Sequence, residues 1–252
     1  MSSSYSSRLI LLVSLIARIA PGQIHPHFGI EAGVPLTDTL SSTSNSSTSA
    51  TSSSLDRYNS ETKRLLIGPA FRVDFESGLG IEFDALYQRI NYDHATVSVQ
   101  LPAFVSQSFE QTSADRWQFP LLVQYTRTVS KSKTPLFVEA GPSISRIADS
   151  RSMISSTTRS GSSTSSSTSS ITGQGGTWAG VVAGGGVDVP LFRVHLRPEF
   201  RYTHWFSQTN ASPAGFAILG NFVSAGPLIS TTAIPSFRTK QNEASFLLGL
   251  TF

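Results

Sequence analysis

The chain has 252 residues, 39% hydrophobic, with no cysteine and a formal net charge of +3. The missing cysteine excludes a disulfide framework, a thiolate metal site and a lipid-modified cysteine. The small charge, without any run of five or more like charges, gives no footprint for nucleic acid, and the length suits a single all-β domain.

Arg8 precedes a short apolar run, Leu9 to Ala17, and Ala20-Pro21-Gly22 puts small residues at −3 and −1. This reads as a signal peptide over 1–22, cleaved before Gln23. A membrane-spanning helix needs about 20 apolar residues, more than this run supplies.

Beyond it, eight segments alternate with period 2, and no 3.6 period competes. His27–Thr37 sets Phe28, Ile30 and Val34 against Gly29, Glu31 and Gly33. Leu65–Phe75 sets Ile67, Phe71 and Val73 against Gly68, Arg72 and Asp74. Leu79–Ile90 sets Ile81, Phe83 and Tyr87 against Glu82, Asp84 and Gln88. Arg116–Thr128 sets Trp117, Leu121 and Val123 against Gln118, Leu122 and Gln124. Pro135–Ser145 sets Leu136, Val138 and Ile144 against Phe137, Glu139 and Gly141. Trp178–Val189 sets Val181, Ala183 and Val187 against Val182, Gly184 and Asp188. Arg193–Trp205 sets Leu196, Phe200 and Tyr202 against His195, Arg197, Glu199 and Arg201. Asn242–Phe252 closes the chain, with Phe246, Leu248, Leu250 and Phe252 on one face and Glu243, Ser245, Leu247 and Thr251 on the other.

The connections alternate between short (76–78, 129–134, 190–192) and long (38–64, 91–115, 146–177, 206–241). A meander with tight turns at one end and long loops at the other is a transmembrane-barrel pattern, which a Greek-key sandwich does not produce. Two stretches, 41–54 and 159–170, are almost pure Ser/Thr. They cannot bury a core and are expected to be mobile loops.

One face of every segment is nearly uniform Leu, Val, Ile, Phe and Ala. The other interleaves small residues with Glu31, Arg72, Asp74, Glu82, Asp84, Arg116, Glu139, Asp188, Arg197, Glu199 and Arg201. Charges of both signs beside glycines suit a narrow interior crossed by ion pairs, and the wide apolar face suits hydrocarbon. Segment lengths near the 9–11 residues of a tilted transmembrane strand agree. Aromatics near strand ends suggest two interfacial belts: Tyr87, Trp117, Tyr202 and Trp205 on the loop side, and Phe28, Phe75, Tyr125 and Phe252 on the turn side.

Gly33-Val34-Pro35-Leu36, Trp117 to Leu122, Glu139-Ala140-Gly141-Pro142, Arg197 to Tyr202 and the terminal Phe252, taken in order and spacing, resemble the small eight-stranded outer-membrane β-barrel family of the OmpA/OmpX type. The resemblance implies an all-β, antiparallel up-and-down transmembrane barrel over 23–252, in the outer membrane of a Gram-negative-type bacterium. It implies short periplasmic turns, long extracellular loops, and contact with outer-membrane lipid or lipopolysaccharide. It also implies a C-terminal signal, Phe246, Leu248, Leu250 and Phe252, read by the barrel-assembly machinery.

Eight strands enclose only enough space for side chains, so a general diffusion pore is not expected. The expected role is structural or interactive, through extracellular loops that contact external ligands, with a monomer and no enzyme activity. A narrow channel through the charged lumen and a lipid-modifying enzyme at the outer rim are the alternatives. His204 is the rim histidine, but no serine or carboxylate at a useful spacing completes a catalytic set. His25 and His27 show no metal-ligand spacing, His94 falls in a loop, and His195, on the inner face near the periplasmic end, is expected to join the ion pairs. Gly184-Gly185-Gly186 lies within a strand and lacks the following helix of a phosphate loop, so no cofactor is expected; its expected use is to make room for a bulky interior neighbour or for a bend.

Overall fold

Alternating residues pair as strands throughout the computed structural model, which describes residues 24–62, 64–128, 134–173, 175–206, 210–211 and 237–252. The expected signal peptide, residues 129–133 and most of the 206–241 connection lie outside the described residues. Fifteen strands occur among the described residues: β1 (Ile24–Pro35), β2 (Thr43–Thr48), β3 (Ser52–Thr62), β4 (Leu66–Phe75), β5 (Leu79–Asp84), β6 (Leu86–Gln100), β7 (Phe104–Thr128), β8 (Pro135–Ser160), β9 (Ser163–Gly173), β10 (Thr177–Val187), β11 (Val189–Leu191), β12 (Val194–Trp205), β13 (Asn210–Ala211), β14 (Phe237–Arg238) and β15 (Asn242–Thr251).

The barrel is a closed antiparallel meander in which β1 pairs with β4, β4 with β5, β5 and β6 with β7, β7 with β8, β8 with β10, β10 with β12, and β12 with β15. It closes where β1 meets β15, from Gly29 opposite Thr251 to Pro35 opposite Ser245. All eight expected strands are present in that ring. The third is split at Ala85, whose N–H leaves the β5 line to donate to the carbonyl of Pro69 at 3.1 Å. The β7–β8 ladder runs from Pro120 opposite Ser143 to Val123 opposite Ala140 and skips the positions between. Pro120 borders that gap and Pro142 lies within it, and neither has an N–H to give the ladder.

Three expected long loops are instead strands. About 11 residues suffice to cross a bilayer, yet β7 has 25 and β8 has 26, so more than half of each continues beyond it. The β6–β7 hairpin turns at 101–103 and the β8–β9 hairpin turns at Gly161, which has φ +58°. With β2 and β3 alongside, the order β2-β3-β6-β7-β8-β9 forms a curved sheet above the loop-side rim. The Ser/Thr stretches 41–54 and 159–170, expected to be mobile, supply β2, part of β3 and part of β9. They add no core, since all of Thr43–Thr48 and nearly all of Ser163–Gly173 are exposed. Their order comes from backbone ladders offered by β6 and β8, which low side-chain hydrophobicity does not prevent, and threonine suits a strand.

The barrel is inside-out relative to a soluble one. Val123, Val138 and Leu248 are 59%, 61% and 42% exposed, while Glu82, Arg116 and Arg201 are 0%, 0% and 3% exposed. A continuous exposed apolar band of this kind faces lipid. Leu248→Arg removes no packing from the folded barrel but puts a cation in hydrocarbon. It is expected to cost about 2–4 kcal/mol when folding into vesicles is followed by urea titration, whereas Leu248→Ile leaves the midpoint near that of the parent.

Candidate functional site

The lumen is filled by layers that begin at the turn end. There Arg72 Nε lies 3.1 Å from Asp74 Oδ2, and its Nη1 lies 3.5 Å from Asp188 Oδ2. His195 Nδ1 is 2.7 Å from the other oxygen of Asp188, and His27 Nε2 is 3.4 Å from Asp74. Asp74 stands at the mouth, its side chain 32% exposed, while Arg72 is sealed beneath it.

The next layer belongs to Arg197. It donates to Glu82 Oε2 at 2.5 Å and to Gln124 Oε1 at 2.9 Å, and its guanidinium lies 4.2 Å from the centre of the Phe137 ring. Above it Arg201 carries the middle of the barrel. Its three nitrogens lie 2.6–3.2 Å from the carboxylates of Glu31, Glu82, Asp84, Glu139 and Glu199. Those acids come from β1, β5, β8 and β12, so one guanidinium joins four strands across the lumen. Gly184 leaves the space: a Cβ there would come within 2.9 Å of Glu139 Oε1 and 3.1 Å of Arg201 Cγ. Of the two uses expected for the glycine run, room for a bulky interior neighbour is the one seen at Gly184.

Leu66, Leu86 and Leu247 form a small apolar layer, with Leu247 fully buried. Arg116 then spans toward β15, donating to both oxygens of Glu243 at 3.0 and 2.8 Å and also to Thr39 and Ser145 at 2.9 Å. Its guanidinium lies 5.5 Å from the Trp178 ring and 5.4 Å from the Trp205 ring, close enough for cation–π attraction. The two indoles meet edge to face at 6.0 Å and close the lumen together with Leu40, Ile90, Tyr92 and Ile147.

All eleven expected lumen residues face inward, and ten of them are buried, Asp74 being the exception at the mouth. The expected C-terminal residues Phe246, Leu248, Leu250 and Phe252 face outward and are exposed. Trp205 is a correction. It was expected in the loop-side belt with Tyr202, but it is completely buried in the lumen. Three positions separate it from Tyr202, so strand parity turns it inward, and that parity outweighs the general tendency of aromatics at strand ends. Glu243, the partner of Arg116, lay on the polar face but outside the expected ion-pair set. Its inward parity was the available signal, and its partner 127 residues away was not.

The upper sheet adds a polar cluster that loop assignments hid. His94 stacks flat on Tyr58 at 4.2 Å and 3°, with Asp56 and Glu110 each 3.6 Å from its ring nitrogens. Thr112 donates to Glu110 at 3.2 Å and shares a 2.6 Å hydrogen bond with Ser152. Burial alone raises the Glu110 pKa, but hydrogen bonds from His94, Ser152 and Thr112 outweigh it and hold the carboxyl below its ordinary 4.5. Rim residue His204 hydrogen-bonds Asn242 Oδ1 at 2.8 Å, as does the Tyr202 hydroxyl, and no nucleophile is paired with it among the described residues.

Two outcomes follow from this geometry. Arg201→Met leaves five carboxylates around an apolar side chain and is expected to destabilise the barrel by about 3–5 kcal/mol in urea titrations. Adding Glu199→Gln recovers part of that loss, because one uncompensated charge is removed. In the upper sheet, a carboxyl with a depressed folded pKa stabilises above its unfolded value and loses that contribution as the pH falls through the folded one. Protection factors of the β6–β8 amides above the rim, referred to the intrinsic exchange rate at each pH, are therefore expected to fall as the pH is lowered from 5 toward 3, and Glu110→Gln removes that pH-dependent step.

The family model for the outer membrane protein beta-barrel domain matches residues 21–209. Among solved structures, the crystal structure of the outer membrane protein OprG from Pseudomonas aeruginosa is similar to this chain at 12% identity and a TM-score of 0.44, over 91% of this chain and 94% of that one. No curated protein matches the sequence. The family match spans most of the chain and runs through seven of the eight ring strands, up to the rim beyond β12. The chain therefore belongs to the outer membrane protein β-barrel domain family, and its location is the outer membrane of a Gram-negative-type bacterium.

Proposed function

We propose that this outer-membrane barrel is a closed scaffold that holds a β-sheet platform outside the cell for surface contacts. The observation that carries this reading is the sheet β2-β3-β6-β7-β8-β9, which continues the barrel wall without a break. A rigid platform presents the same side chains at every encounter, so less ordering entropy opposes binding than with a mobile loop. The Ser/Thr faces of β2 and β9 would offer hydroxyls to polar or carbohydrate ligands, in keeping with their exposure. In this reading the barrel is a monomer, because the ring has no unpaired edge in the membrane. Its last strand, with Phe246, Leu248, Leu250 and Phe252 outward, is the segment offered to the barrel-assembly machinery. It is not an enzyme in this reading: His204 pairs with an asparagine and lacks a nucleophile among the described residues.

A narrow channel is the second reading, and the succession of charged layers from Arg72 through Arg197 to Arg201 favours it. The layers of Phe137, Leu247, Trp178 and Trp205 oppose it, since each is buried across the path. Planar-bilayer recordings decide between the two. The scaffold reading expects no steps above the lipid background at neutral pH. Reproducible unitary conductance in the parent that rises in Trp205→Ala would instead support the channel reading; conductance that appears only in that variant identifies the indoles as the seal.

A further inference from the structure

The outer face of the barrel has a polar site just above the lipid band. Tyr87 and Trp117 face outward on adjacent strands, their rings 5.3 Å apart, and mark the loop-side belt. Two residues higher, Arg89 stands opposite Asp115; four higher, Asn91 stands opposite Ser113, which in turn faces Arg151. Arg89, Asn91, Gln111, Ser113, Arg151 and Met153 line a shallow cleft of about 260 Å³. Five of these six offer N–H or O–H donors, and no carboxylate lines the cleft. Asp115, the nearest acid on the belt side, accepts the Tyr87 hydroxyl at 2.7 Å.

Depth identifies the neighbour. At about 3.4 Å per residue and a tilt near 40°, positions two and four residues above the belt lie roughly 5 and 10 Å beyond the hydrocarbon edge. The polar headgroup layer is roughly 5–8 Å thick on each side of the membrane, so Arg89 stands within it and Arg151 stands just above it, near enough to reach down to a headgroup phosphate. Exposed arginines are denser here than on the opposite wall. Arg89, Arg146 and Arg151 are all exposed on β6 and β8, whereas outward rim positions on β10, β12 and β15 hold Thr177, Ala179, His204, Asn242 and Ala244. Planar guanidiniums bind phosphate through paired, charge-assisted hydrogen bonds, and the neighbouring amides and hydroxyl supply the remaining donors.

We propose that this cleft holds a phosphate of a phosphorylated glycolipid of the outer leaflet, so that the barrel carries one lipid at a fixed place below its platform. The Tyr87–Trp117 pair beneath meets the apolar part of the same molecule. The site depends on outer-membrane location alone and not on the scaffold reading.

Native mass spectrometry of the barrel refolded with lipid A, in phosphorylated and dephosphorylated forms, tests it. The parent is expected to retain the phosphorylated form about tenfold better, the scale of hydrogen bonds to a charged group. Arg89→Ser with Arg151→Ser abolishes that preference. Arg159→Ser, far up the sheet near the β8–β9 turn, leaves it intact. Both cleft arginines are exposed, so the double variant is expected to keep the heat-modifiable gel mobility of a folded barrel; if it does not, the single variants are read instead, each lowering the preference. Equal retention of the two lipids by the parent overturns the proposal. So does a preference that survives in every cleft variant, and so does complete competition by millimolar inorganic phosphate, which would mark a site for the free anion.

Discussion

The ladder between β1 and β15 is the contact on which the rest depends. A strand edge in hydrocarbon leaves a row of N–H and C=O groups with no water to satisfy them, and each unsatisfied group costs several kcal/mol. Pairing Gly29 through Pro35 with Ser245 through Thr251 removes both edges at once. Closure also creates the sealed interior. Only because the ring is shut can Glu31 on β1 and Arg201 on β12 approach to 3.2 Å with β15 between their strands.

Closure then dictates what fills the ring. Eight strands leave a bore about as wide as the side chains lining it, so every inward residue must fit its opposite number. Arg201 and Arg116 meet this demand in different ways. Arg201 is surrounded by carboxylates and set against a glycine, whereas Arg116 is held by one carboxylate and lies against two indoles. Buried ion pairs are a poor source of net stability, but a broken one is strongly destabilising. Such pairs therefore bind the strands to one register, because a one-residue slip would turn the charges into lipid.

The barrel was largely legible in the sequence and the platform was not. Parity alone placed Glu82, Asp84, Arg197 and Arg201 inside and Leu248 and Val123 outside, because a two-residue period in a membrane leaves each side chain a single tolerable face. The segments 91–115 and 146–177 gave weaker signals. Above the rim the outer face of a strand meets water and the inner face packs on polar side chains such as Glu110, Thr112 and Ser152, so polar residues on both sides carry no hydrophobic alternation to read. Their strand state comes from pairing with neighbours, as when Ser156 on β8 pairs with Ser108 on β7 and with Ser167 on β9. Trp205 was misread for a related reason. A general habit of aromatics at interfaces was allowed to override the strand's own period, and the buried partner that explains it, Trp178, lies 27 residues away in sequence across a hairpin.

By itself the sequence determined the number of barrel strands, their direction and which face of each meets lipid, since all three follow from period and connection length. Tertiary structure alone decided the partners. That Arg201 gathers acids from four strands, that Arg116 reaches Glu243 across the lumen, and that Arg89 and Arg151 flank one cleft at headgroup depth depend on how far the strands are staggered around the ring. Stagger is set by the hydrogen-bond ladders of all the strands together, and no single segment of the chain encodes it.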